Sequence, residues 1–169
     1  MTAKEMLKQQ YTFFYLTAKA NLDGLTAEES LVQPSPAGNC ANWIVGHIVG
    51  AHNAVMGLAN ADPVWESPTL ERAASWTRPI DSMDEALEWD TMVQRLLASE
   101  ERLLEGLDAM ADEDLDQDGF TDPFGNPSTR GEMLNLLAVH QNYHAGQLAL
   151  SRRMAGHEGA IRGPKPPEA

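Results

Sequence analysis

Residues 129–155 read TRGEMLNLLAVHQNYHAGQLALSRRMA, and the fold is decided there. Thr129 and Glu132 have the three-residue offset of a capping box, so a helix opens near Ser128 or Thr129, and Gly156 ends it after Ala155. At roughly 100° per residue, Met133, Leu137, His140, His144, Gln147, Ser151 and Met154 fall on one line of that helix. The ends of the line are apolar and its middle is polar. Two imidazoles, an amide and a hydroxyl therefore point where a bundle core is expected, and each costs about 1–3 kcal/mol to bury without a partner.

Three further segments carry the same helical period, and none shows sustained alternation of β-branched residues, so the fold class is all-α. The first helix spans approximately Thr2 to Leu22, with Leu7, Tyr11, Phe14, Ala18 and Leu22 as its apolar stripe. A short turn over Thr26 to Leu31 has a second capping-box pattern in Thr26 and Glu29. After the connection QPSPAGNCAN, helical periodicity resumes over 42–60 through Ile44, Ile48, Ala51, Val55 and Leu58. Residues 61–80 contain three prolines and read as a long crossover, with Trp65 and Trp76 placed to pack over a bundle end. A third helix is expected from Asp81 or Ser82 to about Met110, burying Met92, Val93, Leu96, Leu103 and Leu107. The Pro- and Gly-rich tail after Gly156 is expected on the surface. Connections of roughly 15–20 residues exceed the usual 2–8 between antiparallel neighbours, so the expected architecture is a four-helix bundle with long crossover connections.

A chain of 169 residues, 43% of them apolar, can bury one core, so a single domain over 1–169 is expected. Cys40 is the only cysteine, which rules out an intrachain disulfide and suits a reducing compartment. The N-terminal MTAKEMLKQQ is polar where a secretory signal is apolar, and no run approaches the ~18 apolar residues of a membrane span; a cytoplasmic protein without a membrane partner is expected. A net charge of −13, with 12 scattered basic residues, argues against nucleic acid as a partner.

His140 and His144 stand one helical turn apart, about 6 Å along the axis, a spacing that lets both rings bind one ion. A third ligand has to come from another helix. The second helix offers His47, about 60° to one side of its apolar stripe, and His52, about 80° to the other, so geometry favours His47 only slightly. His52 and His157 are read as solvent-facing or capping residues. Gln141 follows the first histidine, which excludes the HExxH of zinc proteases. Leu137, Gln141 and Ile44 stand three places before His140, His144 and His47, which excludes the Glu-x-x-His pairs of di-iron bundles. One divalent transition metal remains, and imidazole ligands suit zinc, nickel, iron or copper.

Two motifs resemble those of the DinB/YfiT-like metalloenzymes: Trp43-Ile44-Val45-Gly46-His47 in the second helix and His140-Gln141-Asn142-Tyr143-His144-Ala145-Gly146-Gln147 in the last. The resemblance covers nearly the full chain in helix order. It implies an up-down-down-up four-helix bundle, a metal site on His47, His140 and His144, and frequent homodimers. Characterised relatives include S-transferases that use a low-molecular-weight thiol and a thiol-dependent isomerase.

Three neutral imidazoles leave the full charge on a divalent ion, which acidifies a bound water and, more readily, a bound thiol. The expected function is a metal-dependent enzyme, a thiol S-transferase acting on a small-molecule substrate through a metal-bound thiolate, the resemblance favouring this over the alternatives. Those are a hydrolase using metal-bound water and a non-catalytic small-molecule or metal-binding protein. Gln147, next on the polar line, and Glu100, on the inner face of the third helix, are candidates to support the site. Tyr11 and Tyr143 are read as packing residues. The stripe Ala138, Asn142, Ala145, Gly146 and Ala149 suits close approach of another helix, from a second subunit or from within the chain. Asp114, Asp116, Asp118 and Gly119 match the first half of a calcium loop, but Gly125 stands where its bidentate Glu belongs, so the loop is read as a solvated turn.

Overall fold

Thr2 accepts from the Glu5 amide and the Glu5 carboxylate accepts from the Thr2 amide, closing a capping box that starts α1 (Ala3–Leu22). Thr129 and Glu132 do the same for α5 (Arg130–Met154), as expected from their spacing. Such caps contribute about 1 kcal/mol each. Between them lie α2 (Ala41–Leu58), α3 (Trp89–Ala98) and α4 (Glu100–Ala109). The computed structural model describes residues 1–34 and 38–160. Part of the connection before α2 and most of the tail, about which expectations were stated above, lie outside the described residues. The fold is all-α; among the described residues the only sheet is the two-residue antiparallel pair of β1 (Phe120–Thr121) and β2 (Pro127–Ser128). No helix among the described residues is long and apolar enough to cross a membrane.

Contacts along the helices give their relative senses. Tyr11 donates to the Leu134 carbonyl near the start of α5, while Arg152 near its end donates to the carbonyl of Asn21, so α1 and α5 run side by side in the same sense. Lys4 reaches the Met110 carbonyl and Tyr15 reaches Ser99, so α3 and α4 run opposite to α1. Gly46 lies against Met92 and Gly106 against Ala59, which gives α2 the sense of α3 and α4. Ala138 and Ala145 of the small-residue stripe are buried and Asn142 donates to the Gln10 carbonyl, so these three serve the internal contact with α1.

The third helix differs from expectation at its start and in its middle. Residues 81–88 are not helical apart from one turn at Met83–Glu85, because the Asn42 side chain takes both backbone groups of Leu87, accepting from its amide at 2.9 Å and donating to its carbonyl at 3.1 Å. At Ser99 the helix breaks into α3 and α4. The Ser99 hydroxyl donates to the Leu96 carbonyl at 2.6 Å and also meets the Tyr15 hydroxyl at 2.8 Å.

The crossover is strapped lengthwise over α2. Asn53 accepts from the amides of Val64 and Trp65 and donates to the Trp65 carbonyl, while the Cys40 thiol donates to the Ile80 carbonyl. Gly46 makes the close approach possible, since an added Cβ would lie 2.3 Å from Leu87 Cδ1 and 2.9 Å from Ala73 Cβ. Trp65 packs against the core, but Trp76 is fully exposed, with a left-handed φ of 69°.

His52 is fully buried, not solvent-facing, because it points toward α1, where it packs against the rings of Tyr11, Phe14 and Tyr15. Its Nε2 lies 2.6 Å from the Tyr15 hydroxyl, which continues to Ser99 and the Leu96 carbonyl. A carbonyl can only accept, so each group passes its proton along this line, beginning with the Nε2–H of a neutral His52. Burial lowers the His52 pKa from 6.5 to about 3. The folded pKa is thus below the unfolded one, the unfolded chain binds the extra proton between those limits, and stability falls as pH drops from 6.5 toward 3.

Two predictions follow from these contacts. Gly46→Ala should lose about 1–3 kcal/mol through overpacking despite the better helix propensity of Ala, whereas Gly50→Ala, where an added Cβ meets nothing within 4 Å, should gain up to ~1 kcal/mol. Urea unfolding gives both signs, and a stabilised Gly46→Ala would contradict the strap geometry. For His52, unfolding of metal-free protein at a series of pH values should show that His52→Gln flattens the acid slope by about one proton, or ~1.4 kcal/mol per pH unit. An unchanged slope would show that His52 is not held neutral.

Candidate metal centre

α5 packs against both α1 and α2, so its buried face is centred on Leu134, Ala138, Gln141, Ala145 and Leu148. The line through His140 and His144 is one edge of that face, not its middle. His144 is 7% exposed, whereas His140 and His47 are half-buried, so the site opens through the wall of the bundle and is not sealed in its interior. Gln141, at the centre of the contact, is fully buried and donates to the Ile48 carbonyl at 3.3 Å, one residue beyond His47. That bond fixes α5 against α2 where the imidazoles meet.

His47, His140 and His144 converge through one ring nitrogen each. His140 Nε2 lies 3.1 Å from His47 Nε2 and 3.1 Å from His144 Nε2, and the potential ligand atoms of the three are all within 4.8 Å of one another. Among the described residues, no other group of histidine, cysteine and carboxylate ligands is drawn together in this way. Nitrogens about 2.0–2.1 Å from one tetrahedral ion are about 3.3 Å apart, close to the spacing found here.

The outer ring nitrogens settle where the lone pairs are. His47 Nδ1 donates to the Ala73 carbonyl at 2.9 Å, and His144 Nδ1 donates to Gln147 Oε1 at 2.7 Å. With those protons placed, Nε2 of each neutral ring presents a lone pair. His140 Nε2 touches both. A proton on it can lie along only one of the two contacts, so the other brings two lone pairs together, an arrangement that a shared cation relieves. Burial, with the neighbouring imidazoles as smaller causes, lowers the His144 pKa to about 4. Burial and then His47 lower that of His140, so both rings are ready to donate at neutral pH.

Aromatic side chains hold the rings from outside. Trp43 stacks on His47 at 4.8 Å and 12°, anchored by its indole N–H to Thr77 at 2.9 Å. Tyr143 meets His144 edge-on at 5.1 Å, and its hydroxyl accepts from Gln147 Nε2 at 3.2 Å. Tyr143 is thus exposed and hydrogen-bonded, not the packing residue expected; its four-residue offset from Gln147 was the available signal. Glu100, by contrast, opens α4 half-buried, where its charge acts on the Tyr15 phenol. His157 pairs with Glu29 at 3.1 Å. In the acidic loop, Asp114 caps the Ala111 amide and Leu115 is buried, so the half-match to a calcium loop is a capped turn.

The chain is similar to two solved structures over most of its length. A DinB-like protein from Bacillus cereus ATCC 10987 is 22% identical, with a TM-score of 0.67 over 94% of this chain and 97% of that one. A conserved protein from Enterococcus faecalis is 20% identical, with a TM-score of 0.65 over 92% of this chain and 98% of the other. At these identities the likeness carries the fold alone. No curated protein matches the chain. The family model of the DinB superfamily matches residues 16–148, a span that includes all three converging histidines, and the chain therefore belongs to the DinB superfamily.

Proposed function

We propose that this protein is a metal-dependent enzyme of thiol chemistry, in which His47, His140 and His144 hold one divalent transition metal and a low-molecular-weight thiol attacks a small electrophile. The observation that carries the reading is the neutrality of everything around the ligand atoms. Three imidazoles face one point, and the groups that accept their outer protons are a backbone carbonyl and an amide, not carboxylates. An ion there would keep its full charge and lower the pKa of a thiol or water at an open position.

The thiol has to come from outside the chain. Cys40 is buried, its thiol donates to the Ile80 carbonyl, and burial raises its pKa, so it is a structural residue and not a nucleophile. A thiol is also the easier acid, with a pKa near 8.5 for cysteine against 15.7 for bulk water. Within this reading the chain's own residues bind and orient. Trp43 and the Ala73 carbonyl hold the His47 ring, and the exposed Tyr143 ring offers an apolar wall beside His144 for the organic part of a substrate.

The reading is tested by incubating metal-replete protein with a set of low-molecular-weight thiols and electrophiles, beside His140→Ala. Thiol-dependent turnover by the wild type, reduced to the uncatalysed rate in the variant, is expected. Equal turnover by the variant would remove the proposed mechanism, and turnover that needs no thiol would replace it with metal-assisted hydrolysis.

A further inference from the structure

The outer partners of the three imidazoles are unequal. The acceptor for His47 is backbone and cannot change sides, whereas His140 Nδ1 is buried without a partner. The acceptor for His144 is a side-chain amide, which presents either oxygen or NH2 depending on how it is turned. With its oxygen toward Nδ1, Gln147 requires a proton there and leaves the lone pair at Nε2, facing the other two rings. With its NH2 toward Nδ1, it would require the opposite tautomer, put a proton at Nε2 and close the site to a cation. In the orientation found, Gln147 Oε1 accepts from His144 Nδ1 and Gln147 Nε2 donates to the Tyr143 hydroxyl at 3.2 Å.

We propose that Gln147, through its amide oxygen on Nδ1, is a positioning residue that selects the ion-binding tautomer of His144, and that the Tyr143 hydroxyl supports it by accepting from the other end of the amide. This rests on the metal-binding reading given above, and deepens it. Tyr143, His144 and Gln147 occupy one stretch of α5, with offsets of four and three residues that put both partners within reach of Gln147 on the same helical surface. The pair is carried on one rigid helix and needs no contact from the crossover. The Tyr143 hydroxyl can both donate and accept, so its hold on the amide is weaker than a carbonyl's would be. Gln147 thus carries the larger share of the effect.

Two readouts separate this inference from the reading it rests on. In metal-free protein, nitrogen chemical shifts and long-range couplings of the His144 ring report its tautomer without any ion. The wild type is expected to show the Nδ1–H form, and Gln147→Leu to show the Nε2–H form or a mixture. In equilibrium titrations with zinc, Gln147→Leu should bind about 10- to 100-fold more weakly. Gln147→Glu, which can only accept at Nδ1, should bind at least as tightly as the wild type, and Tyr143→Phe should show a smaller loss than Gln147→Leu. Circular dichroism of each variant checks that the bundle is folded. A His144 ring that stays Nδ1–H in Gln147→Leu overturns the inference, as does unaltered zinc affinity in that variant or a failure of Gln147→Glu to restore it. Wild-type protein that shows the expected tautomer but binds no zinc overturns the metal-binding reading, and with it the purpose given to Gln147, while leaving the hydrogen-bond assignment intact.

Discussion

Three imidazole nitrogens are brought to within one ion's reach with two of their outer protons already committed, and the account of the site depends on that constraint. A histidine cluster on its own is unremarkable, because a proton can be shared between rings. Here the Ala73 carbonyl and the Gln147 amide oxygen draw the protons of His47 and His144 to the far side of each ring. The near side is left rich in lone pairs, and His140 can supply at most one proton between two contacts of 3.1 Å. Such an arrangement costs free energy in the absence of a cation, and an ion that binds the folded chain and not the unfolded one returns it as stability.

The rest of the fold reads as the means of holding that geometry. Gln141 bonds α5 to the α2 carbonyl next to His47, so the two ligand-bearing helices cannot slide past each other without losing a buried contact. The crossover has to run close over α2 for the Ala73 carbonyl to reach His47, which is why Gly46 has no side chain and why Asn42 and Asn53 spend their amides on crossover backbone. On the other side, the proton chain from His52 through Tyr15 and Ser99 ties α2 to α1 and to the break between α3 and α4. Polar side chains, placed against backbone or, for His52, Tyr15 and Ser99, against one another, carry much of the specificity in a core whose remaining contacts are apolar.

How much of this was legible in the sequence follows from what kind of information each feature needs. The helices and the His140–His144 line could be read because helical periodicity and capping boxes are local, and the capping boxes at Thr26 and Thr129 have the predicted partners. The face of α5 was misjudged by one row, because the deeper row is set by packing against α1 and α2 together, and Gln141, polar in type, sits at its centre. His52 was misplaced for a related reason: it lies off the apolar stripe of α2, yet Tyr11, Phe14 and Tyr15 of α1 close over its ring, a contact that the periodicity of α2 alone does not encode. The late start at Trp89 depends on Asn42, 45 residues before Leu87, a pairing that no local pattern encodes. Tyr143 was read as a packing residue although its four-residue offset from Gln147 was legible, whereas the Ala73 carbonyl, supplied by a loop, becomes visible only in three dimensions.

The most direct measurement of the central claim is the coordination of a loaded ion. Protein saturated with zinc, exchanged into metal-free buffer and examined by elemental analysis and X-ray absorption, should retain one ion per chain with three imidazole nitrogens at about 2.0–2.1 Å. Retained ion ligated by oxygen alone, or no retained ion, would show that the three rings meet for a reason other than metal.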